Sequence, residues 1–144
     1  MKAQNFSWSA GIYLCTEGME LDLHNSYGFI GFSYDIEART VSLRWRRGLG
    51  EWVGTQLPAG IFLGIQNVHY FRFEPRDQKY AFTEDDCLAS FGYDSDEDWT
   101  DGQFWIDGSA DPNWRWSFAF QSGAEVIVGG ERAVVDLQLS GASE

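Results

Sequence analysis

Large apolar residues occur at every second position through the last third of the chain. The first such run places Trp114, Trp116, Phe118 and Phe120 on alternate positions. Successive side chains of a β-strand point to opposite faces of a sheet, so this spacing predicts a strand with one apolar face. Glycine-containing breaks at 121–123 and 129–130 separate two further alternating runs. The sequence therefore predicts a C-terminal β-meander.

The same period of two predicts strands earlier in the chain. They cover 6–14, 21–23, 30–36, 41–45 and 103–106, and the strands 30–36 and 41–45 form a hairpin. The apolar stretch 61–73 predicts either one long strand or two strands broken near Gly64 or Asn67. We expect one all-β, mainly antiparallel domain over 1–144, a sandwich or barrel of about nine to ten short strands.

One short helix is predicted near residues 84–91. Thr83 is the expected N-cap, and acidic residues fill the first turn. Cys87, Leu88 and Phe91 then form an apolar stripe at helical spacing, and Gly92 suits the helix end.

Charge narrows the choice of partners. The 144 residues carry 22 acidic and 10 basic side chains, a net charge of −12. Nucleic acid and anionic membrane surfaces are poor partners for such a chain, because both attract clustered Lys and Arg. A basic protein partner fits the charge. The first 20 residues contain no apolar run of signal-peptide length, and we expect a soluble, cytoplasmic, bacterial protein.

The densest acidic region runs from 84 to 111. Within it, Asp94, Asp96 and Asp98 alternate as the ligands of a calcium loop do. Trp99 stands where the loop needs Gly, and Trp105 where it needs the bidentate acid, which excludes an EF-hand. An irregular calcium site is the weaker interpretation. The stronger one is a solvated acidic loop that faces a basic surface of the same protein, with Arg44, Arg46 and Arg47 as candidates.

The tryptophans divide into two groups. Trp8, Trp45, Trp114 and Trp116 fall in strand register and are predicted to lie in the core. Trp52, Trp99 and Trp105 fall in or beside loops, where binding residues concentrate. Together with nearby carboxylates they form the predicted binding set: Trp52, Asp94, Asp96, Asp98, Trp99, Asp101 and Trp105.

Catalytic motifs are missing from the sequence. It contains no nucleophile elbow, P-loop or dinucleotide fingerprint. Cys15, Cys87, His24 and His69 lack the short spacing of a zinc site, and we expect both thiols to be reduced and buried. Paired carboxylates with aromatics also suit a glycoside hydrolase, yet no pair stands out. No catalytic residue and no cofactor are predicted.

Three functional hypotheses remain. The first is a non-enzymatic interaction module whose acidic, Trp-containing stretch binds a basic partner. In general type such a protein is similar to some toxin-neutralising immunity proteins, which would make it an inhibitor-like module. The second is a small-ligand binder that holds a sugar-like ring on its loop aromatics. The third is a homodimer formed through an exposed strand edge.

Overall fold

The computed structural model describes residues 1–48, 56–95 and 102–139. Within these ranges it contains one short 3₁₀ helix, Phe82–Asp86, which is neither long nor apolar enough to cross a membrane. The strands are β1 Lys2–Ala3, β2 Ser7–Ser9, β3 Tyr13–Thr16, β4 Met19–Asp22, β5 Tyr27–Asp35, β6 Thr40–Arg47, β7 Gly60–Gln66, β8 Tyr70–Glu74, β9 Leu88–Asp94, β10 Arg115–Phe120, β11 Glu125–Gly129 and β12 Arg132–Gln138.

The strands form three open sheets. The five-stranded sheet has the order β1-β12-β7-β6-β5, the four-stranded sheet β8-β11-β10-β9, and the three-stranded sheet β2-β3-β4. All neighbouring strands are antiparallel except β1, which pairs parallel with β12. None of the sheets closes on itself, so the predicted all-β class is confirmed, as a sandwich and not as a barrel.

The two larger sheets pack face to face through their alternating residues. On β6, Val41, Leu43 and Trp45 are buried, and on β10 Phe118 is fully buried. The rings of Trp45 and Phe118 lie 6.0 Å apart, and those of Phe29 and Phe120 lie 4.6 Å apart. Each buried aromatic ring removes a large apolar area from water, which makes this layer the main source of stability.

Strand β5 crosses the strands of the four-stranded sheet. Its Phe29 contacts Phe120 of β10, whereas its Phe32 and Tyr34 contact Phe71 of β8, with ring centroids 5.4 and 5.2 Å apart. Strands β10 and β8 lie on either side of β11 in their sheet. The two sheets therefore meet at an angle, and one end of the four-stranded sheet extends past the free edge of β5.

The three-stranded sheet covers the end of the core near β9. Trp8 of β2 stacks on Phe91 of β9, with ring centroids 4.0 Å apart and an interplanar angle of 17°. Leu14 and Leu21, on β3 and β4, are fully buried. The predicted strand 6–14 is in fact two strands, because Ala10 and Gly11 have positive φ and turn the chain back on itself.

The predicted C-terminal meander is wrong at its last step. Strands β10 and β11 do pair, but β12 leaves that sheet and pairs with β7. Gly130 stands at the crossing, where a side chain would come within 2.9 Å of the Gln66 carbonyl oxygen. Because glycine has no side chain, the backbone can pass close to β7 at this point. Gly129 and Gly130 therefore mark a change of sheet and not a hairpin turn.

The predicted helix is confirmed only as the 3₁₀ turn. Ala81, not Thr83, precedes it, and no side chain caps it. Residues 88–94 form strand β9, in which Phe91 lies opposite Phe118 of β10. A spacing of three suits a helix, but here a shift in the register with β10 at Ala119–Phe120 lets a strand bury both Leu88 and Phe91.

Two other predictions concern the middle of the chain. The hairpin of 30–36 and 41–45 is confirmed as β5 and β6. The stretch 61–73 is broken into β7 and β8 at Asn67, which has a positive φ of 54°. The predicted strand 103–106 is reduced to a single bridge between Tyr93 and Phe104.

Candidate functional site

Most of the predicted binding set lies outside the described residues. Trp52, Asp96, Asp98, Trp99 and Asp101 belong to this group. The proposed pairing of Arg44, Arg46 and Arg47 with the acidic loop therefore stays a prediction. Asp94 and Trp105 are the two members that the structure describes.

Asp94 is engaged in an ion pair at the end of β9. Its Oδ2 lies 3.0 Å from Nε of Arg115, and both side chains are largely buried. The Arg115 guanidinium also lies over the ring of Tyr70, 4.1 Å from its centroid. A carboxylate held in this way is a poor ligand for a calcium ion. Among the described residues, no three His, Cys, Asp or Glu side chains cluster closely enough to hold a metal.

Trp105 is half-buried against the core. Its ring stacks on Tyr93 at 5.6 Å with an interplanar angle of 14°, and its indole Nε1 donates to Oδ1 of Asp107 at 3.3 Å. With Trp8 and Trp116 it lines a recess of about 470 Å³. Trp105 therefore acts partly as a cover for the core, with only part of its ring at the surface.

An open groove of about 590 Å³ lies beside strand β5, and the sequence did not predict it. We call it the β5 groove. One wall is the free edge of β5, and the other is formed by the end of β8, the 3₁₀ helix and the β10–β11 turn. Its lining residues are Phe29, Ile30, Gly31, Phe32, Phe73, Pro75, Arg76, Phe82, Asp85, Asp86, Phe120 and Ala124.

Large apolar side chains are exposed at the mouth of the β5 groove. Phe82 is 80% exposed, Phe73 47% and Ile30 45%. The ring centroids of Phe73 and Phe32 are 5.2 Å apart, so the exposed ring of Phe73 contacts the half-buried ring of Phe32. Exposed apolar side chains that adjoin one another are a common feature of interaction sites.

Charged groups form one rim of the groove. Arg76 donates from Nε to Oδ1 of Asp85 at 2.9 Å, and its guanidinium lies 4.5 Å from the Phe82 ring centroid. The hydrogen bond from Arg76 holds the pKa of Asp85 below its ordinary value. Asp86 is exposed next to Gly28 of β5, and no ion pair to it occurs in the described part of the chain.

A β-bulge shapes the β5 wall. The register with β6 shifts between Phe29 and Gly31, which leaves Ile30 without a direct partner and turns it toward the groove. A glycine inside an alternating apolar run is a known signal for a bulge, and Gly31 provides it here. No comparable sequence signal predicts the exposure of Phe82, because that exposure depends on which elements pack nearby.

Cys87 and His24 come together without forming a nucleophile pair. Sγ of Cys87 lies 3.6 Å from Nδ1 of His24, but this nitrogen is only 2.6 Å from the Leu88 carbonyl oxygen. A carbonyl accepts only, so Nδ1 carries a proton and is not a base toward the thiol. Burial, together with Glu84, Asp86 and Asp22, also raises the pKa of Cys87.

Both cysteines are free thiols, as expected, although each is half-buried and not fully buried. Burial raises the pKa of Cys15 as well, with a further contribution from Glu20. A reactive thiol needs an electropositive setting, because positive charge favours the thiolate, which is the reactive form. Neither cysteine has such a setting.

Comparison with family models, with curated proteins and with solved structures finds no match for this chain.

Proposed function

We propose that this protein is a non-enzymatic interaction module that binds a basic protein partner in the β5 groove. The observation that carries the proposal is an open apolar groove with a free carboxylate, Asp86, at its rim. The acidic stretch that begins at Glu84 starts at this same rim. The next two acidic residues of that stretch, Asp85 and Asp86, belong to the groove lining.

The exposure of the groove favours a segment of a protein over a small molecule. Small-ligand pockets enclose most of their ligand's surface, whereas Phe82 projects into solvent at the mouth of this groove. A partner segment covers such a ring from above, and aromatic side chains are enriched among the residues that contribute most to protein interfaces.

The charge of the molecule specifies the chemistry of the partner. A net charge of −12 attracts a basic segment and speeds its encounter with the groove. The partner segment should therefore combine apolar side chains, which bury the exposed rings, with Lys or Arg side chains near Asp86.

A calorimetric titration tests the proposal with a blocked nine-residue peptide that alternates lysine with valine and phenylalanine, the lysine peptide. The control replaces every lysine with glutamate. We expect saturable one-to-one binding of the lysine peptide only, weakened at about 0.5 M salt because screening removes the electrostatic part. Binding of neither peptide, or equal binding of both, would contradict the proposal.

Matched variants locate the binding site. Phe82→Ala and Asp86→Asn remove an apolar and an acidic groove residue, and each should weaken binding of the lysine peptide. Phe62→Ala and Asp136→Asn make the same changes at exposed positions on the outer face of the five-stranded sheet. If the control variants lose as much affinity as the groove variants, the attraction is general and the groove is not the site.

A small-ligand function has one observation in its favour. The recess beside Trp105 combines the stacked rings of Tyr93 and Trp105 with the carboxylate of Asp107, a set that suits a sugar-like ring. Titration of the protein with a panel of monosaccharides and disaccharides tests it through tryptophan emission. Saturable quenching that Trp105→Ala abolishes would support this second function, and a silent panel would remove it.

A further inference from the structure

We propose that the partner segment binds in extended form, as an added strand on the free edge of β5. This inference rests on the proposed function and specifies its mode. Strand addition supplies main-chain hydrogen bonds for affinity and leaves alternate side chains to read the surface. On this protein, one set of side chains would enter the β5 groove, which Asp85 and Asp86 also line, and the other would face solvent.

The edge of β5 is available for pairing. β5 is the last strand of the five-stranded sheet, and β6 is its one neighbour there. From Gly31 to Asp35, among the described residues, no backbone hydrogen bond runs outside that pair. An edge of this kind presents a row of N–H and C=O groups that a further chain can use.

The free edge has defined limits. The 3₁₀ helix flanks the start of β5, where Asp86 lies beside Gly28, and the bulge at Ile30 interrupts regular pairing. Regular pairing then continues from Gly31 to Asp35, a length typical of a strand. This part of β5 contains neither Lys nor Pro, the residues that proteins commonly use to block an edge.

The β5 edge fits the partner better than the edge of β8. β8 is also the end of its sheet, but Arg72 and Glu74 form an ion pair there. The groove instead begins beside the free part of β5, since Gly31 and Phe32 belong both to that part and to the groove lining. A strand added to Gly31–Asp35 therefore places the side chains at its Gly31 end over the exposed apolar surface.

Charge selects a basic segment over a second copy of this chain. Two copies joined edge to edge would bring together two molecules that each carry a net charge of −12. A net charge far from zero keeps copies of a protein apart. A segment with both basic and apolar side chains removes this repulsion and matches the carboxylates and the apolar rings that line the groove.

Amide hydrogen exchange of the full chain with the lysine peptide is the direct test. Strand addition predicts about tenfold or greater slowing of exchange within Gly31–Asp35, with Tyr70–Glu74 unchanged. If the peptide binds and β5 is not protected, strand addition is wrong while the interaction module stands. If the peptide does not bind, the proposed function itself fails.

Backbone methylation of the peptide gives a second, independent readout. Two versions of the lysine peptide carry N-methyl groups on either the odd or the even amides, with side chains unchanged. An added strand uses alternate amides to pair, so one version should lose about tenfold or more in affinity and the other little. Equal affinities for both versions would overturn strand addition.

Sedimentation of the protein alone tests whether a second copy of this chain occupies the β5 edge. We expect a monomer at high concentration, in which the amides of Gly31–Asp35 that do not bond to β6 exchange fast until the peptide is added. A dimer whose β5 amides are already protected would show that a second copy occupies the edge, and it would overturn the choice of a basic segment.

Discussion

Two aromatic clusters in the described part of the chain differ in one respect: the first is closed and the second is open to solvent. The closed cluster surrounds Phe91, which is 1% exposed and contacts Trp8, Trp116 and Phe118. The open cluster surrounds the β5 groove, where Phe73 and Phe82 reach solvent. Phe91 and Phe73 belong to the same four-stranded sheet, on β9 and β8, so aromatic composition alone does not explain the difference.

The difference comes from the small three-stranded sheet. It places Trp8 over Phe91 and completes the packing at the β9 end of the sandwich. At the β5 groove, no element of the described chain has the same position over Phe82. Closed rings contribute mainly to stability, whereas open rings remain available to a partner, and substitutions should separate these two roles.

The largest effect is expected in the closed cluster. Phe91→Ala should lower the free energy of unfolding by about 3–5 kcal/mol, because it removes a fully packed ring and leaves a cavity. Chemical denaturation monitored by tryptophan emission measures the change. A loss below about 1 kcal/mol would mean that the cluster is loosely packed, and the contrast between the clusters would fail.

A smaller effect is expected where β5 begins. The hydroxyl of Tyr27 donates to the Pro58 carbonyl oxygen at 2.7 Å, and burial raises the pKa of Tyr27 to about 12. Tyr27→Phe should cost about 1 kcal/mol, since the carbonyl loses its donor. Unfolding at neutral pH measures this cost, and a neutral or stabilising substitution would show that the bond does not hold β5.

The same tyrosine predicts a loss of stability at alkaline pH. Because the folded-state pKa is raised from 10, the contribution is complete below pH 10 and is lost as pH rises toward about 12. Unfolding measured across this range should be less pH-dependent in Tyr27→Phe than in the native chain. An unchanged pH dependence would contradict the assignment to Tyr27.

An acid-sensitive contribution is expected at the groove rim. The Arg76 hydrogen bond lowers the folded-state pKa of Asp85 below 3.8, so its contribution is present above that value and lost as pH falls through the lowered one. Asp85→Asn should reduce the difference in melting temperature between pH 5 and pH 2. Asp136→Asn is the control, and an equal reduction in both variants would remove the special role of the ion pair.

The smallest effect on stability is expected at the mouth of the groove. Phe82→Ala should change the free energy of unfolding by less than about 0.5 kcal/mol, because the ring is mostly in solvent. The same variant should weaken binding of the lysine peptide by about tenfold, the effect expected of a moderate interface hot spot. A large loss of stability without loss of binding would reverse the comparison between the clusters.

Local pattern was a sufficient guide wherever the partner strand is near in sequence. The hairpin of β5 and β6 follows from alternation and a short turn, and the burial of Trp45 and Trp116 follows from strand register. Pattern was misleading where the partner strand is remote. The spacing of Leu88 and Phe91 suits a helix, but pairing with β10 makes this segment a strand. The run after Gly130 resembles a third meander strand, but it pairs with β7 in the other sheet.

The candidate site was the least predictable part for the same reason. The sequence directs attention to the loop tryptophans and the acidic run, and it does indicate the acidic rim at Glu84 to Asp86. It contains no signal that Phe73 stays exposed while Phe118 is covered, because both stand in runs where aromatic residues alternate with others.

By itself, therefore, the sequence determined the all-β class, the faces of most strands and the acidic character of the surface. These properties depend on side-chain polarity and a two-residue period, both of which are local. Tertiary structure alone decided which sheet β12 joins, which aromatic cluster is closed and which strand edge stays free. Those outcomes depend on contacts between distant segments, and no local pattern encodes which of two similar apolar surfaces receives a cover.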